Sequence, residues 1–240
     1  MSTLLLVSSI LQAQDLELSD QNGDDNIKIL AFGDSITDGV GDEEGIGYPD
    51  RLEQLIGILV DNEGDPGEEL LNGGLERLSK IVQNSNADYV IIMEGANDAI
   101  HQISGPSYDR GLQKAINLIQ AIGKTPILMT LPPGSEDHAG TVPITNGYSS
   151  VIQDLGSINS LTVVDLNLAW LTTCNNLFRC QLYNLPEGLH PNSTGYTVMA
   201  QTIAAKLFNI DIFSVDGATQ LESAFGLTPG SVIVKPIPVI

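Results

Sequence analysis

The segment IKILAFGDSIT, residues 27–37, contains the pattern that decides the fold. Its apolar run Ile27–Phe32 predicts a buried strand, which Gly33 ends just before Asp34 and Ser35. A continuous apolar run, rather than an alternating one, is typical of a strand that is covered on both faces, as in a parallel sheet. The segment therefore predicts a buried strand that carries a polar turn at its carboxyl end.

Further apolar runs and helical patterns alternate along the chain after this segment. The other predicted strands are Ile58–Asn62, Tyr89–Met93, Ile127–Thr130 and Leu161–Leu166. The predicted helices are Pro49–Ile56, Leu75–Gln83, Tyr108–Ile122, Asn146–Leu155 and 193–208. This order predicts an α/β fold, a three-layer α/β/α sandwich around a five-stranded parallel sheet. In such folds functional groups gather at the carboxyl ends of the strands.

The domain is predicted to span residues 27–208, with shorter segments on both sides. Residues 1–14 contain a short apolar stretch typical of a secretory signal, although no Lys or Arg precedes it. We interpret it as a signal-peptide remnant and expect a secreted or periplasmic protein; the alternative is a packed N-terminal helix. We interpret residues 15–26, which are polar and acidic, as a linker. Residues 209–240 are expected to form an appendage packed on the domain.

The appendage contains two predicted elements. A helix is expected over residues 217–226, where Gly226 would end it, and an edge strand is expected at Val232–Val234. Neither element carries residues with an evident chemical role.

The acidic linker superficially resembles a calcium loop. Asp20, Asn22 and Asp24 have the spacing of the first three ligands. However, Asp25 stands where the turn glycine belongs, and Ala31 occupies the position of the twelfth-residue Glu. The pattern therefore argues against calcium.

Composition limits the class of partner. The 240 residues include 30 acidic and 10 basic side chains, a formal net charge of −20, and 42% hydrophobic residues. Such a charge repels nucleic acid and anionic membranes. No apolar run reaches the ~18–20 residues that a membrane span requires. We expect a globular protein that acts on a small molecule or a carbohydrate and inserts in no membrane.

Cys174 and Cys180 are the two cysteines of the chain. In an exported protein they would form a short disulfide loop, whereas in the cytosol they would be free thiols. Because no His lies between them, they make a poor zinc site. We favour the disulfide.

Polar, glycine-containing segments follow the first three predicted strands, and a fourth precedes the last helix. They contain Ser35, Gly67, Asn97 and His190, respectively. A serine at a strand-to-helix turn exposes its hydroxyl, and a histidine is the side chain suited to remove its proton near neutral pH. A glycine N–H and an asparagine amide can stabilise an oxyanion. The four residues together indicate nucleophilic catalysis that passes through a tetrahedral oxyanion.

These four segments resemble the conserved blocks of the GDSL, or SGNH, hydrolases, a family of serine esterases and lipases. Ser35, Gly67, Asn97 and His190 match in order the four residues for which the family is named, and the similarity covers residues 27–208. The resemblance implies a flavodoxin-like fold, Ser35 as nucleophile and His190 as base. It also implies an oxyanion hole formed by the Ser35 N–H, the Gly67 N–H and the Asn97 amide.

One residue departs from the family pattern. The family places Asp three residues before the histidine, whereas this chain has Glu187. Glu187 is the preferred third member of a triad, since its carboxylate can accept the Nδ1–H of His190. The alternatives are a Ser–His dyad oriented by a backbone carbonyl, and Asp165 at the end of the fifth strand.

Other polar or aromatic residues near the motifs have simpler interpretations. Asp34 and Asp98 are expected to accept hydrogen bonds from nearby backbone N–H groups in tight turns. His101 either borders the substrate cleft or is an ordinary surface residue, and His138 is expected to be exposed to solvent. Trp170 is expected to serve packing.

Competing enzyme classes lack their motifs. The chain has no Gly-x-Ser-x-Gly elbow, no HExxH helix, no Walker loop and no Rossmann glycine fingerprint after its first strand. We therefore expect a serine esterase for short-chain acyl or acetyl esters, with no metal or organic cofactor. Alternatives are an acetylated-carbohydrate esterase or O-acyltransferase using the same site. A lysophospholipase, a thioesterase or a non-catalytic carbohydrate-binding relative is a weaker alternative.

Overall fold

A computed structural model describes residues 17–237. Its sheet has five parallel strands in the order β2-β1-β3-β4-β5. The strands are β1 (Lys28–Gly33), β2 (Leu59–Gly64), β3 (Tyr89–Met93), β4 (Thr125–Met129) and β5 (Thr162–Val164). The α/β fold with a five-stranded parallel sheet is confirmed.

Helices cover both faces of this sheet. The helices are α1 (Ser35–Asp38), α2 (Gly47–Ile56), α3 (Gly74–Asn84), α4 (Ala96–Ile100), α5 (Gly105–Gln120), α6 (Val142–Asn159), α7 (Leu166–Thr173), α8 (Ser193–Leu207) and α9 (Gly217–Phe225). Helices α2 and α7 pack against α8, whereas α5 packs against both α3 and α6. Strand β3 is buried along its whole length between these layers. This double coverage explains its continuous apolar sequence.

The end of the fifth strand differs from the prediction. The strand was expected over Leu161–Leu166, but β5 ends at Val164 and Leu166 already begins α7. The cause is Asp165, whose side chain accepts a hydrogen bond from the Leu168 N–H and so caps α7. The apolar residues after Asp165 therefore belong to a helix that the periodicity did not reveal.

The predicted edge strand at Val232–Val234 is wrong. This segment has no regular secondary structure, because its backbone N–H groups find side-chain acceptors instead of a neighbouring strand. The Ile233 N–H donates to Gln201 Oε1 at 2.9 Å, and the Val232 N–H donates to Glu222 Oε1 at 3.2 Å. The predicted helix of the appendage is present as α9.

The N-terminal segment is attached to the domain over its described part. The predicted signal remnant, residues 1–14, lies outside the described residues. Residues 17–26 contain no helix or strand. The Ser19 N–H donates to the Tyr89 hydroxyl and the Gln21 N–H to Asp88 Oδ1, both at 2.8 Å. These contacts lie at the start of β3, at the opposite edge of the sheet from Ser35.

A disulfide joins Cys174 and Cys180 just after α7. Trp170 in α7 is completely buried, so its expected packing role is confirmed. No helix between residues 17 and 237 combines the length and the apolar character needed to cross a membrane.

Candidate active site

The segments that follow β1, β2 and β3 meet at the carboxyl edge of the sheet. Arg77 of α3 joins the first two of these segments: its guanidinium donates to the Gly33 carbonyl at 3.0 Å and to the Glu63 carbonyl at 2.9 Å. It also forms an ion pair with Glu68, with Nε 2.8 Å from Oε1. Its guanidinium carbon lies 4.2 Å above the ring of Phe32. One side chain thus links the Ser35, Gly67 and sheet segments.

Ser35 is the first residue of α1. Asp34 caps this short helix, since its Oδ1 accepts the Ile36 N–H at 2.9 Å. Gly33 is required just before this turn because a Cβ there would overlap the Met93 carbonyl oxygen. Strands β1 and β3 thus approach each other closely just before the turn, and the Ser35 side chain after it faces His190.

Ser35, His190 and Glu187 form a continuous hydrogen-bonded chain. Ser35 Oγ lies 2.8 Å from His190 Nε2, and His190 Nδ1 lies 2.8 Å from Glu187 Oε1. The other carboxylate oxygen of Glu187 accepts the N–H groups of Leu189 and His190 at 3.0 and 2.9 Å. Because a carboxylate only accepts, Nδ1 carries a proton and Nε2 of the neutral ring is free to accept from Ser35.

The alternatives for the partner of His190 Nδ1 do not match this geometry. Asp165 is engaged at the start of α7, where its Oδ1 also accepts from the Thr130 hydroxyl at 2.8 Å. The group opposite Nδ1 is the Glu187 side chain rather than a backbone carbonyl.

Asn184 holds the His190 segment in place. Its side-chain amide donates to the carbonyls of Gly41 at 2.8 Å and Pro191 at 3.1 Å. Two residues after His190, Asn192 caps α8 by accepting the Gly195 N–H. The segment is thus tied both to the loop after α1 and to the last long helix.

Three N–H donors lie in the segments around Ser35. Among residues 17–237 the backbone N–H groups of Ser35 and Gly67 have no hydrogen-bond acceptor. Gly67 has a φ of +87°, a conformation that favours glycine. The side-chain nitrogen of Asn97 donates to the Glu68 carbonyl at 2.8 Å and lies 3.5 Å from Asp34 Oδ2. The longer contact leaves one N–H available to another acceptor.

Three buried carboxyl groups, those of Asp34, Glu94 and Asp98, lie in the segments that form the site. Burial raises the pKa of Asp34 to about 7. Burial also raises the pKa of Glu94, which lies near the negative charges of Asp34 and Glu68. Neither of its carboxyl oxygens has a hydrogen-bond partner within residues 17–237. Burial raises the pKa of Asp98 as well. Burial at these three positions therefore favours the protonated form of each carboxyl group.

The predictions for Asp34 and Asp98 hold to different extents. Asp34 accepts from Ile36 within its own turn, as expected. Asp98 accepts instead from the Leu70 N–H at 2.9 Å, in the segment after β2. Asp98 thus joins α4 to the loop after β2.

The two remaining histidines occupy different surroundings. His101 is mostly exposed, and its Nδ1 lies 3.1 Å from Oε1 of Glu69, which belongs to the loop that contains Gly67. The prediction that His138 is exposed is wrong. His138 is half-buried and its Nδ1 lies 2.6 Å from the Glu187 carbonyl oxygen.

Sequence reasoning did not identify Arg77, Glu94 or His138 as site-related residues. Glu94 offered one signal, since it is a charged residue directly after the apolar run Tyr89–Met93. His138 offered none, because its partner is 49 residues away. Within residues 17–237, no three His, Cys, Asp or Glu side chains converge in an arrangement suited to a metal ion.

The parallel sheet in 2-1-3-4-5 order, with a Ser–His–Glu chain at its carboxyl edge, defines a hydrolase of the SGNH fold class. The model of the GDSL-like lipase/acylhydrolase family matches residues 31–198. The chain belongs to this family and is a carboxylic ester hydrolase.

Individual relatives share about a quarter of their residues with this chain. A Bacillus subtilis protein, uncharacterized protein YpmR, is 26% identical over 223 residues, covering 75% of this chain and 80% of the relative. An acetylxylan esterase of Xylanibacter ruminicola is 25% identical over 77% of this chain, which spans 44% of that longer protein. The solved structure of a lipase/acylhydrolase from Enterococcus faecalis is 28% identical with a TM-score of 0.65, covering 75% of this chain and 95% of that one.

Proposed function

We propose that this protein hydrolyses short-chain acyl or acetyl esters through an acyl-enzyme intermediate on Ser35. The observation that carries the proposal is the chain from Ser35 Oγ through His190 to Glu187, with both contacts at 2.8 Å. A serine hydroxyl is a poor nucleophile until a base accepts its proton, and this geometry supplies that base.

The proposed reaction has two steps. Ser35 Oγ attacks the ester carbonyl carbon while its proton moves to His190 Nε2. His190 then donates that proton to the alcohol oxygen as the ester C–O bond breaks, which leaves the acyl group on Ser35. In the second step water attacks the acyl carbon, gives a proton to Nε2, and Ser35 recovers it as the acid departs. Glu187 holds the ring orientation and stabilises the imidazolium that forms in each step.

The negative charge that develops on the carbonyl oxygen requires donors already in place. We assign this role to the Ser35 and Gly67 N–H groups, which have no acceptor within residues 17–237, and to the Asn97 amide. Such donors stabilise the tetrahedral intermediate more than the planar ester.

The connections around the site support a preference for small acyl groups. The longest of them between helices and strands, residues 174–192, carries Glu187 and His190 themselves rather than an inserted lid. Glu63 near the end of β2, and Asp65 and Glu69 in the Gly67 loop, add negative charge on this side of the site. These charges disfavour anionic esters, so a neutral substrate is favoured.

Acetylated carbohydrate is the second candidate substrate. It is favoured by the similarity to the acetylxylan esterase, and a neutral acetylated sugar is compatible with the acidic surroundings. Release of acetate from acetylated xylan, measured beside hydrolysis of simple acetate esters, distinguishes the two.

The test is hydrolysis of p-nitrophenyl acetate, butyrate and octanoate by the wild type and by Ser35→Ala. We expect the variant to lose at least about 10⁴-fold in kcat, and the wild type to prefer acetate or butyrate. Ser150→Ala, an exposed serine on α6, is the matched control and should retain full activity. Equal rates for wild type and Ser35→Ala would overturn the assignment, and a preference for octanoate would overturn the substrate class.

We also propose that the protein is exported. The apolar stretch within residues 1–14 and the disulfide between Cys174 and Cys180 support this location. Expression of the whole chain in a bacterial host, followed by fractionation, should place the protein in the periplasm or the medium. Recovery in the cytosol with both thiols free would contradict the proposal.

A further inference from the structure

The carbonyl groups of the backbone around Glu187 contact a single loop. Three successive carbonyl groups, those of residues 186–188, each contact the segment between β4 and α6. The Asp137 N–H donates to the Pro186 carbonyl at 3.2 Å, and the Ser135 N–H donates to the Gly188 carbonyl at 2.8 Å. His138 Nδ1 lies 2.6 Å from the carbonyl oxygen between them, that of Glu187.

Of these three donors, His138 alone is a side chain. A carbonyl oxygen only accepts, so Nδ1 of His138 carries the proton of this bond. The loop fixes the histidine in turn, since the His138 N–H donates to the Ser135 carbonyl and the Thr141 hydroxyl donates to the His138 carbonyl, both at 2.8 Å. The ring is therefore held against the Glu187 backbone.

The Glu187 carboxylate has little other support. Its side chain is 39% exposed, and within residues 17–237 its hydrogen bonds go to residues 189 and 190 of its own segment. The neighbouring Gly188 cannot shift toward the loop, because even a Cβ there would overlap the Ser135 carbonyl oxygen. The position of the carboxylate consequently depends on how the segment 186–188 is anchored.

We propose that His138 is a positioning residue for the ester hydrolysis, acting through the Glu187 backbone to keep the carboxylate aligned with His190. This inference rests on the proposed function of Ser35, His190 and Glu187. Small misalignments in a catalytic array are costly, and a shift of about 1 Å can cost about 10²-fold in rate. His138 touches neither substrate nor reacting atoms.

The first test compares His138→Leu with His138→Asn. Leu has a similar size but no donor, whereas the Asn amide can place an N–H near the position of Nδ1. We expect His138→Leu to lower kcat for p-nitrophenyl acetate by about 10-fold or more, with KM within about twofold. His138→Asn should recover most of this loss. Equal activity of His138→Leu and the wild type would overturn the proposal.

A double-mutant cycle separates positioning from general loss of structure. In a Glu187→Gln background, His138→Leu should cause no further loss of kcat, because the carboxylate that it positions is already absent. The same fold-loss in both backgrounds would contradict the proposal. If His138→Leu does not fold, as judged by urea unfolding, His138→Gln serves instead, since its amide reaches the position of Nε2 rather than Nδ1.

A control variant and two site variants distinguish failure of the His138 proposal from failure of the proposed function. Gln113→Leu removes a half-buried polar contact to Asn159, between α5 and α6, and should leave kcat unchanged. If Ser35→Ala abolishes activity but Glu187→Gln has full kcat, the nucleophile stands and the positioning role of His138 is refuted. If Ser35→Ala is fully active, the proposed function itself fails.

Discussion

At the scale of single residues, the buried Asp34 carboxyl gives the fold an unusual pH dependence. Its pKa is raised from 3.8 to about 7, so folding favours the protonated form. The stabilisation that Asp34 contributes to the unfolding free energy is thus fully present below about pH 4, and it is lost as the pH rises to about 7. This residue opposes the usual acid denaturation.

Asp34→Asn should remove this dependence. The amide resembles the neutral acid and keeps an oxygen to accept the Ile36 N–H. Between pH 4 and pH 8 the unfolding free energy of the variant should rise relative to the wild type by about 4 kcal/mol. Urea unfolding across this range measures the difference. If the unfolding free energies of the variant and the wild type differ by the same amount from pH 4 to pH 8, then Asp34 is ionised in the folded protein over this whole range.

Asn97 allows a second prediction at this scale. Asn97→Ala removes one of the donors that we propose for the developing oxyanion, and should lower kcat by about 10²–10³-fold, with KM changed much less. Steady-state kinetics with p-nitrophenyl acetate test this, with urea unfolding to verify that the variant is folded. An equivalent loss confined to KM would indicate a role in ground-state binding instead.

At the scale of secondary-structure elements, Arg77 makes α3 the link between the end of β1, the end of β2 and the loop after β2. Arg77→Lys keeps the charge but cannot reproduce the forked contacts to Glu68 and two carbonyls. We expect a loss of about 2–3 kcal/mol in unfolding free energy, measured by urea unfolding. Lys80→Ala, which breaks an exposed pair with Glu76 on the same helix, is the control and should cost under about 1 kcal/mol. Equal effects of the two variants would contradict the linking role.

The disulfide stabilises a second element, the segment after α7. Replacing Cys174 and Cys180 with Ser should lower the unfolding free energy by about 2 kcal/mol, because the unfolded chain is no longer constrained. Urea unfolding of this variant and of the wild type, with and without a reductant, tests the prediction. The reductant should affect the wild type alone.

The elements that the sequence predicts well are those whose signal is local. Strands β1 and β3 are continuous apolar runs, and the Ser35 and Asn97 segments follow them directly. Val232–Val234 has the same apolar character, but its N–H groups bond to distant side chains, which no local pattern indicates. The contact of His138 with Glu187 was missed for the same reason, since only the folded chain brings them together.

At the scale of the whole molecule, the net charge of −20 acts against compactness. Added NaCl should therefore raise the melting temperature, with most of the increase below about 0.2 M, where the Debye length falls to about 8 Å. Differential scanning calorimetry from low to molar salt measures this. A melting temperature independent of salt would mean that the acidic charges are too far apart to repel each other appreciably.

The measurement that tests the central claim most directly is covalent labelling of Ser35. A fluorophosphonate ester reacts only with a serine that a base has activated, and mass spectrometry of the digested protein locates the adduct. The account predicts one adduct, on Ser35, which His190→Ala abolishes. An active enzyme that carries the label on another serine, or on none, would contradict it.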